Sequence, residues 1–305
     1  MNVGTLLSDR IVFTFITMKY LILLFSLFSL SEYGQNTSFD YAYVSKKGIC
    51  VYSVADKREV LITAHGWNPA ISPDGKKLAY TDGPVTGKKF ITLVDLNTNV
   101  KTKLDTHGDG SGPIWSPDGK YIACNGSVGG KTVIKVIGVN TPFFSALTGK
   151  TSEQDSPRWL ANSKGIMIQD MEKILIVDLA DNVTTTYKMK DLEGGLPELK
   201  EMIGNANSDV FMPTADGKKI VFSCGDDGSA DGPLNGVFIY DIATKKTTRL
   251  SPKKYDADEP VIKGNTVLFT AAKYGSRVNN IYSVDMNGGN FKLLFANCTS
   301  VSARN

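Results

Sequence analysis

The sequence has few of the residues that build metal centres and covalent active sites. Its 305 residues include four cysteines and two histidines, and no two cysteines form a C-x-x-C pair. This scarcity argues against a zinc site and against a disulfide framework. The G-x-S-x-G motif that carries the nucleophile of α/β-hydrolases is also missing, so a hydrolase of that class is excluded.

Basic clusters are missing as well. No run of five or more Lys or Arg occurs, and the net charge is only +3. We therefore expect no nucleic-acid partner. The composition, with 42% hydrophobic and 21% charged residues, is that of a globular protein able to bury a core.

Long apolar runs are confined to the N-terminus, where a single basic residue, Lys19, precedes an apolar run over residues 20–30. This layout predicts a signal peptide, so residues 1–34 form an upstream extension plus the signal. Residues 35–305 are then exported to the periplasm or secreted, and the chain is not an integral membrane protein. The alternative is a membrane anchor over residues 11–30, in which Lys19 would cost about 2.5–3.5 kcal/mol.

A repeated segment dominates the rest of the chain. "ISPDGKKLAY" at residues 71–80 returns 44 residues later as "WSPDGKYIA" at 115–123. Related segments lie at 156–170, 208–224 and 258–271. The Asp-Gly pair supplies the positive φ that a tight hairpin needs, and the preceding Pro fixes the entry into the turn.

Each copy is followed by a β-branched segment such as "FITLVDLNTN", a polar turn and a last short strand, so one unit contains four strands. Sheets of this kind bury both faces only when stacked radially. The units are predicted at residues 67–104, 112–148, 155–189, 207–250 and 258–295.

The segments left over lie at the two ends of the repeat region. Residues 39–62 read as three strands without an inner one, and residues 298–305 read as that missing inner strand. Together they predict a sixth blade, and hence an all-β six-bladed propeller of four-stranded antiparallel blades, closed by pairing of the N- and C-terminal strands. Cys50 and Cys298 fall in this blade, on strands that are not adjacent.

The segment "SPDGK" followed by "VDLNTN" resembles the repeats of TolB-type six-bladed propellers over almost the whole mature chain. The resemblance implies the propeller alone, without the N-terminal domain of TolB. Related blades occur in prolyl-oligopeptidase-type peptidases, which need the missing G-x-S-x-G motif. They also occur in oligogalacturonate lyases, which bind a metal through more histidines than this chain has.

In a propeller, the loops that join an outer strand to the next inner strand share one face with those that join the second and third strands. We call this the mouth face, because the central tunnel opens there. It carries two histidines, an aromatic side chain and several acids, and we predict a ligand-binding face at His65, Trp67, His107, Asp109, Glu153, Asp155, Asp256, Asp258 and Glu259. The alternative is a set of solvated loop residues.

Residues 226–235, "DDGSADGPLN", resemble a calcium-binding loop, in which carboxylate and hydroxyl oxygens surround the ion. The predicted ligands are Asp227, Ser229, Asp231 and Asn235. The alternative is a polar hairpin, since Phe238 stands where an EF-hand has its Glu. No other cofactor is expected. One helix is predicted at residues 190–205, either as a lid or, preferably, as an insertion between blades.

These features predict an exported, monomeric propeller that binds an envelope protein or peptide without catalysis. The alternative is a carbohydrate-active hydrolase or lyase with two mouth-face carboxylates as acid and base. A third alternative is a structural envelope protein without a concave site.

Overall fold

The computed structural model of the chain is built almost entirely of β-strands. It describes residues 38–84, 86–104, 109–148, 155–170, 173–199, 210–226 and 234–304. Their 24 strands form six sheets of four. The predicted six-bladed β-propeller is confirmed. The predicted signal sequence lies outside the described residues.

The blades follow chain order, and each runs from an inner strand at the tunnel to an outer strand at the rim. Blade 1 contains β1 (Tyr41–Ser45), β2 (Gly48–Ser53), β3 (Arg58–Thr63) and the C-terminal strand β24 (Cys298–Ala303). Blade 2 contains β4 (Trp67–Ile71), β5 (Lys77–Asp82), β6 (Phe90–Asp95) and β7 (Lys101–Lys103). Blade 3 contains β8 (Gly110–Trp115), β9 (Tyr121–Val128), β10 (Lys131–Gly138) and β11 (Phe144–Leu147).

The second half of the ring repeats this arrangement. Blade 4 contains β12 (Asp155–Trp159), β13 (Gly165–Asp170), β14 (Lys173–Asp178) and β15 (Val183–Lys188). Blade 5 contains β16 (Val210–Pro213), β17 (Lys219–Asp226), β18 (Leu234–Asp241) and β19 (Lys246–Arg249). Blade 6 contains β20 (Tyr255–Lys263), β21 (Thr266–Lys273), β22 (Asn280–Asp285) and β23 (Lys292–Phe295).

The Asp-Gly repeat forms the turn between the first and second strands of a blade. In blade 2 the Ser72 hydroxyl donates to Asp74 Oδ1 at 2.6 Å, and the Lys76 N–H donates to the same oxygen at 3.0 Å. Gly75 has a φ of 70°, and a Cβ there would lie 2.5 Å from the carbonyl oxygen of Phe39. The glycine therefore serves both the turn and the contact with blade 1.

Successive blades are joined by apolar packing and by tryptophan hydrogen bonds. Trp115 Nε1 in blade 3 donates to the carbonyl of Ala70 in blade 2 at 2.9 Å, and Trp159 Nε1 in blade 4 donates to Ile114 in blade 3 at 3.1 Å. The second and third strands bury apolar side chains on both faces, as with Leu78 and Ala79 of β5, because each sheet has a neighbour on either side.

The ring closes in blade 1, as the sequence predicts. β24 pairs antiparallel with β1, with Ala42 opposite Ser302 and Ser45 opposite Cys298. Just beyond the strand, Arg304 Nη2 lies 2.7 Å from Asp40 Oδ1. The last strand of the chain therefore covers the free edge of the first one.

The same topology separates the two cysteines of blade 1. Cys50 on β2 and Cys298 on β24 flank β1 from opposite sides, so about 10 Å of sheet width separates their strands. A disulfide needs Cα atoms within about 7 Å. All four cysteines are buried, and burial raises the pKa of Cys298 to about 11.

The predicted helix at residues 190–205 is wrong in type over residues 190–199, and residues 200–205 lie outside the described residues. The described part of this segment forms two short 3-10 helices, Met189–Glu193 and Pro197–Leu199. Gly194, with a φ of 54°, ends the first after five residues, because glycine readily adopts the left-handed conformation. The preferred alternative, an insertion between blades, is confirmed for the described residues of this segment. Leu192 is buried among side chains of blades 4 and 5, and its carbonyl accepts from Thr247 Oγ1 at 2.6 Å.

We expect stepwise C-terminal truncation to separate the contributions of the closure. Truncation after Ala303 removes the ion pair and the backbone hydrogen bond between Arg304 and Asp40. It should lower the free energy of unfolding by about 1–3 kcal/mol. Truncation after Asn297 removes β24 and should abolish cooperative unfolding. Urea titration followed by circular dichroism measures both, and equal effects of the two truncations would contradict this role of β24.

The turns between third and fourth strands predict an acid-sensitive fold. The Thr98 N–H donates to Asp95 Oδ1 at 2.9 Å, and this bond is the main cause of a lowered pKa of Asp95. Backbone N–H groups likewise lower the pKa of Asp178 and Asp241.

Each folded pKa lies below the unfolded value of about 3.9. The stabilisation from these hydrogen bonds is therefore present above that pH, and it is lost as the pH falls through the pKa of the folded state. The free energy of unfolding, measured by urea titration, should fall less from neutral to acidic pH in the triple variant Asp95→Asn, Asp178→Asn, Asp241→Asn than in the unaltered chain. Asparagine still accepts the hydrogen bond but does not titrate. An equal loss in the triple variant and the unaltered chain would refute this explanation.

Candidate functional site

The mouth face is defined by the antiparallel topology of the blades. Turns from first to second and from third to fourth strand lie at one end of each blade, and the other loops lie at the opposite end. The Asp-Gly turns therefore occupy what we call the turn face. The mouth face holds the loops after β3, β7, β11, β15, β19 and β23 and those between the second and third strands.

Bulges interrupt the inner strands close to the mouth face. In β4, β8 and β20 the pairing register shifts between Trp67 and Ala70, between Ser111 and Ile114, and between Asp258 and Val261. An extra residue with positive φ lies in each bulge and also in β24. These residues are Asn68, Gly112, Glu259 and Ser300, with φ between 50° and 63°. Bulges redirect side chains and recur next to functional sites.

Neighbouring blades capture the N–H groups of these bulges. The Gly112 N–H of blade 3 donates to Thr81 Oγ1 of blade 2 at 2.9 Å. The Ser300 N–H of blade 1 donates to Thr270 Oγ1 of blade 6 at 3.2 Å and to Glu259 Oε2 at 3.1 Å. Thr81 and Thr270 are both buried. A polar side chain on the second strand of one blade thus fixes the bulge of the next.

The carboxylates of blade 6 belong to the same network. The Asp258 Oδ1 accepts from Ser223 Oγ of blade 5 at 2.6 Å and from the Glu259 N–H at 2.7 Å. Glu259 accepts from Thr270 Oγ1 at 3.1 Å and from the Ser300 hydroxyl at 3.2 Å. Both predicted site residues therefore join blade 6 to a neighbouring blade.

The other described acids also have backbone partners from adjacent blades. The Lys89 N–H of blade 2 donates to Asp109 Oδ1 at 3.2 Å, and the Asn235 N–H of blade 5 donates to Asp256 Oδ1 at 2.9 Å. Asp109 and Asp256 are exposed, so a ligand can still reach them. Asp155 is placed at the first position of β12, and Glu153 lies outside the described residues.

The predicted aromatic residue and the first histidine lie at or just before the start of β4, the inner strand of blade 2. His65 is exposed in the loop between blades 1 and 2, and its N–H donates to Thr63 Oγ1 at 3.3 Å. Trp67 is half-buried and pairs with Thr81 in the register of β4 and β5. His107 lies outside the described residues, so the predicted pairing of the two histidines stays a prediction.

The predicted calcium loop is described only at its end. Asn235 lies in β18 opposite Gly225, and Asp227, Ser229 and Asp231 lie outside the described residues. Across the part of the chain that the structure describes, no group of three or more His, Cys, Asp or Glu side chains is arranged to hold a metal ion. Calcium binding stays a prediction.

Sequence reasoning missed the polar residues on the second strands. Thr81, Ser223 and Thr270 occupy matching repeat positions inside otherwise apolar strands, and this recurrence is the signal that would have found them. It also missed Lys135, a fully buried side chain of β10 whose Nζ donates to the carbonyl of Asp109 at 2.8 Å. Its signal is a lysine inside the apolar segment "TVIKVIG".

A small cleft lies on the turn face between blades 2 and 3. Its volume is about 170 Å³, and it lies between two Asp-Gly turns, with Pro73, Trp115 and Val139 among its lining residues. Sites for small molecules are usually about 300–1,000 Å³. This cleft is therefore smaller than a typical small-molecule site.

Comparison with known proteins supports the fold and relates it to TolB. No protein-family model matches the chain. A curated relative, an uncharacterized protein of Agrobacterium fabrum, is 28% identical over 159 residues, 50% of this chain and 52% of the relative. The Tol-Pal system protein TolB of Hydrogenovibrio crunogenus is 36% identical over 97 residues, 30% of this chain and 21% of TolB. The chain thus spans about half of one relative and a fifth of the other.

Solved structures extend the likeness to most of the chain. TolB from Acinetobacter baumannii superposes with a TM-score of 0.65 at 19% identity, covering 87% of this chain and 66% of that one. A structure described as TolB from Agrobacterium tumefaciens gives a TM-score of 0.62 at 16% identity, covering 88% and 94%. The chain therefore shares the six-bladed propeller fold of these structures. None of the described helices is long and apolar enough to cross a membrane.

We expect Glu259→Gln to destabilise the ring. Glutamine offers one acceptor oxygen where the carboxylate accepts from the Ser300 N–H, the Ser300 hydroxyl and Thr270. Urea titration should show a loss of about 1–3 kcal/mol in the free energy of unfolding. The matched control is Asp256→Asn, at an exposed carboxylate, with an expected loss below about 1 kcal/mol. Similar losses in both variants would count against the bridging role of Glu259.

Proposed function

We propose that the chain is an exported propeller that binds a protein or peptide of the cell envelope over its tunnel mouth, without catalysis. The TolB-like fold supports a protein-binding role of this kind. The observation that carries the proposal is the hydrogen bonding of the mouth-face carboxylates. Those of Asp109, Asp256, Asp258 and Glu259 accept hydrogen bonds from adjacent blades, so they build a fixed surface.

The second candidate is a carbohydrate-active hydrolase or lyase. Such an enzyme needs two carboxylates about 5–9.5 Å apart that exchange protons with substrate and water. Among the predicted site acids, Asp109 and Asp256 are exposed. Each carboxylate accepts a hydrogen bond from a backbone N–H of the preceding blade, Asp109 from Lys89 and Asp256 from Asn235. These hydrogen bonds favour a structural role for both.

A binding experiment with matched surface variants tests the proposal. Residues 35–305 are immobilised and exposed to an envelope extract of the source organism, and the retained proteins are identified by mass spectrometry. One partner is then purified for titration. The double variant His65→Ala, Asp256→Ala changes exposed mouth-face side chains and should weaken binding by about tenfold or more.

The control changes exposed lysines of the turn face, Lys120→Ala and Lys218→Ala, and should leave the affinity unchanged. A partner lost equally in both variants would contradict a site at the tunnel mouth. Cleavage of an oligosaccharide panel by the unaltered chain, abolished in Asp256→Asn, would replace the proposal with the enzymatic one.

A further inference from the structure

One half of the mouth face carries only positive charge in its loops. Six successive loops, from the end of blade 5 round to blade 2, contain no Asp or Glu in the sequence: 250–254, 274–279, 296–297, 46–47, 64–66 and 83–89. Seven cationic residues lie in them, and Lys273 at the end of β21 adds an eighth. This basic half-ring consists of Lys46, Lys47, Lys88, Lys89, Lys253, Lys254, Lys273 and Arg277.

The basic half-ring is accessible and includes exposed apolar side chains. All its cations except Lys89 are exposed. Every residue of the hairpin 273–279 is exposed, and the side chains of Tyr274 and Val278 are 47% and 45% accessible. The Tyr274 N–H donates to the carbonyl of Lys254 at 2.8 Å. The hairpin and the loop before β20 therefore present two large apolar side chains among four cations.

The neighbouring strand ends carry fewer acids than the basic half-ring has cations, and these acids are Asp82, Asp256, Asp258 and Glu259. Asp82 accepts from the Gly83 N–H and the Thr92 hydroxyl, and Asp256 accepts from the Asn235 N–H. Glu59 lies 3.9 Å from Lys47. On the turn face, in contrast, each Asp-Gly lysine follows an aspartate of its own turn, as with Lys120 Nζ at 3.7 Å from Asp118.

The chemistry of the basic half-ring fits an anionic bilayer. Seven of its eight cations are lysines. Lysine is depleted in protein–protein interfaces, where arginine and its two-pronged hydrogen bonding are favoured. A spread of lysines around an exposed tyrosine is instead the pattern that holds proteins at negatively charged lipid surfaces. We propose that the basic half-ring docks this propeller on an anionic phospholipid membrane, with Tyr274 and Val278 at the lipid interface.

Vesicle sedimentation tests the proposal, which does not rest on peptide binding. Residues 35–305 should sediment with vesicles of phosphatidylcholine and phosphatidylglycerol, should stay in solution with phosphatidylcholine alone, and should be released by salt. Each cation near an anionic surface contributes about 1 kcal/mol, or about fivefold in partitioning. The variant Lys253→Ser, Lys254→Ser, Lys273→Ser, Arg277→Ser should therefore lose on the order of a hundredfold or more.

The matched control removes the same number of positive charges from the turn face, with Lys76→Ser, Lys120→Ser, Lys164→Ser and Lys218→Ser. It should retain most of the binding, because those lysines face away from the membrane. The variant Tyr274→Ser should bind anionic vesicles more weakly than the unaltered chain, with the same dependence on salt.

Absence of binding to anionic vesicles, or an equal loss in the turn-face control, would overturn the proposal. Equal binding to neutral vesicles would overturn it too. Binding of the purified envelope partner is measured separately, so that either proposal can fail while the other stands.

Discussion

The structure depends on one antiparallel pairing, that of β24 with β1. A blade buries both faces only if it has a neighbour on each side, so a partial set of blades leaves two sheet faces exposed. Closing the ring joins residues more than 250 positions apart, Asp40 and Arg304 among them. All the inter-blade packing is conditional on this long-range contact, which chain entropy opposes until the other blades have stacked.

The same constraint explains why the mouth face is polar and yet ordered. A bulge frees a backbone N–H in the inner strand, and a buried N–H must find a partner. Side chains of the preceding blade supply one, as Thr81 does for Gly112 and Thr270 for Ser300. The acids that mark this face in the sequence therefore hold blades in register, and a ligand meets a preformed surface.

The fold could be predicted from the sequence because its signals are local. Each Asp-Gly turn, each β-branched strand and the leftover segments at both ends can be recognised within a few residues. The contacts of the site are not local. Ser223 meets Asp258 from 35 positions away, and Glu259 meets Ser300 from 41. Neither pair forms a motif. The pattern after β15 favours a helix, but Gly194 with its φ of 54° ends the first 3-10 helix after five residues.

The distribution of tryptophan around the ring has a consequence for observing unfolding. All three tryptophans, Trp67, Trp115 and Trp159, lie in blades 2, 3 and 4. Blades 5, 6 and 1, which include the closure, contain none. Intrinsic fluorescence therefore reports on one arc of the propeller. The strand β24 meets this arc through β4, where the Ile71 N–H donates to Ser302 Oγ at 3.0 Å, so an opening between β24 and β1 is followed more directly by amide hydrogen exchange.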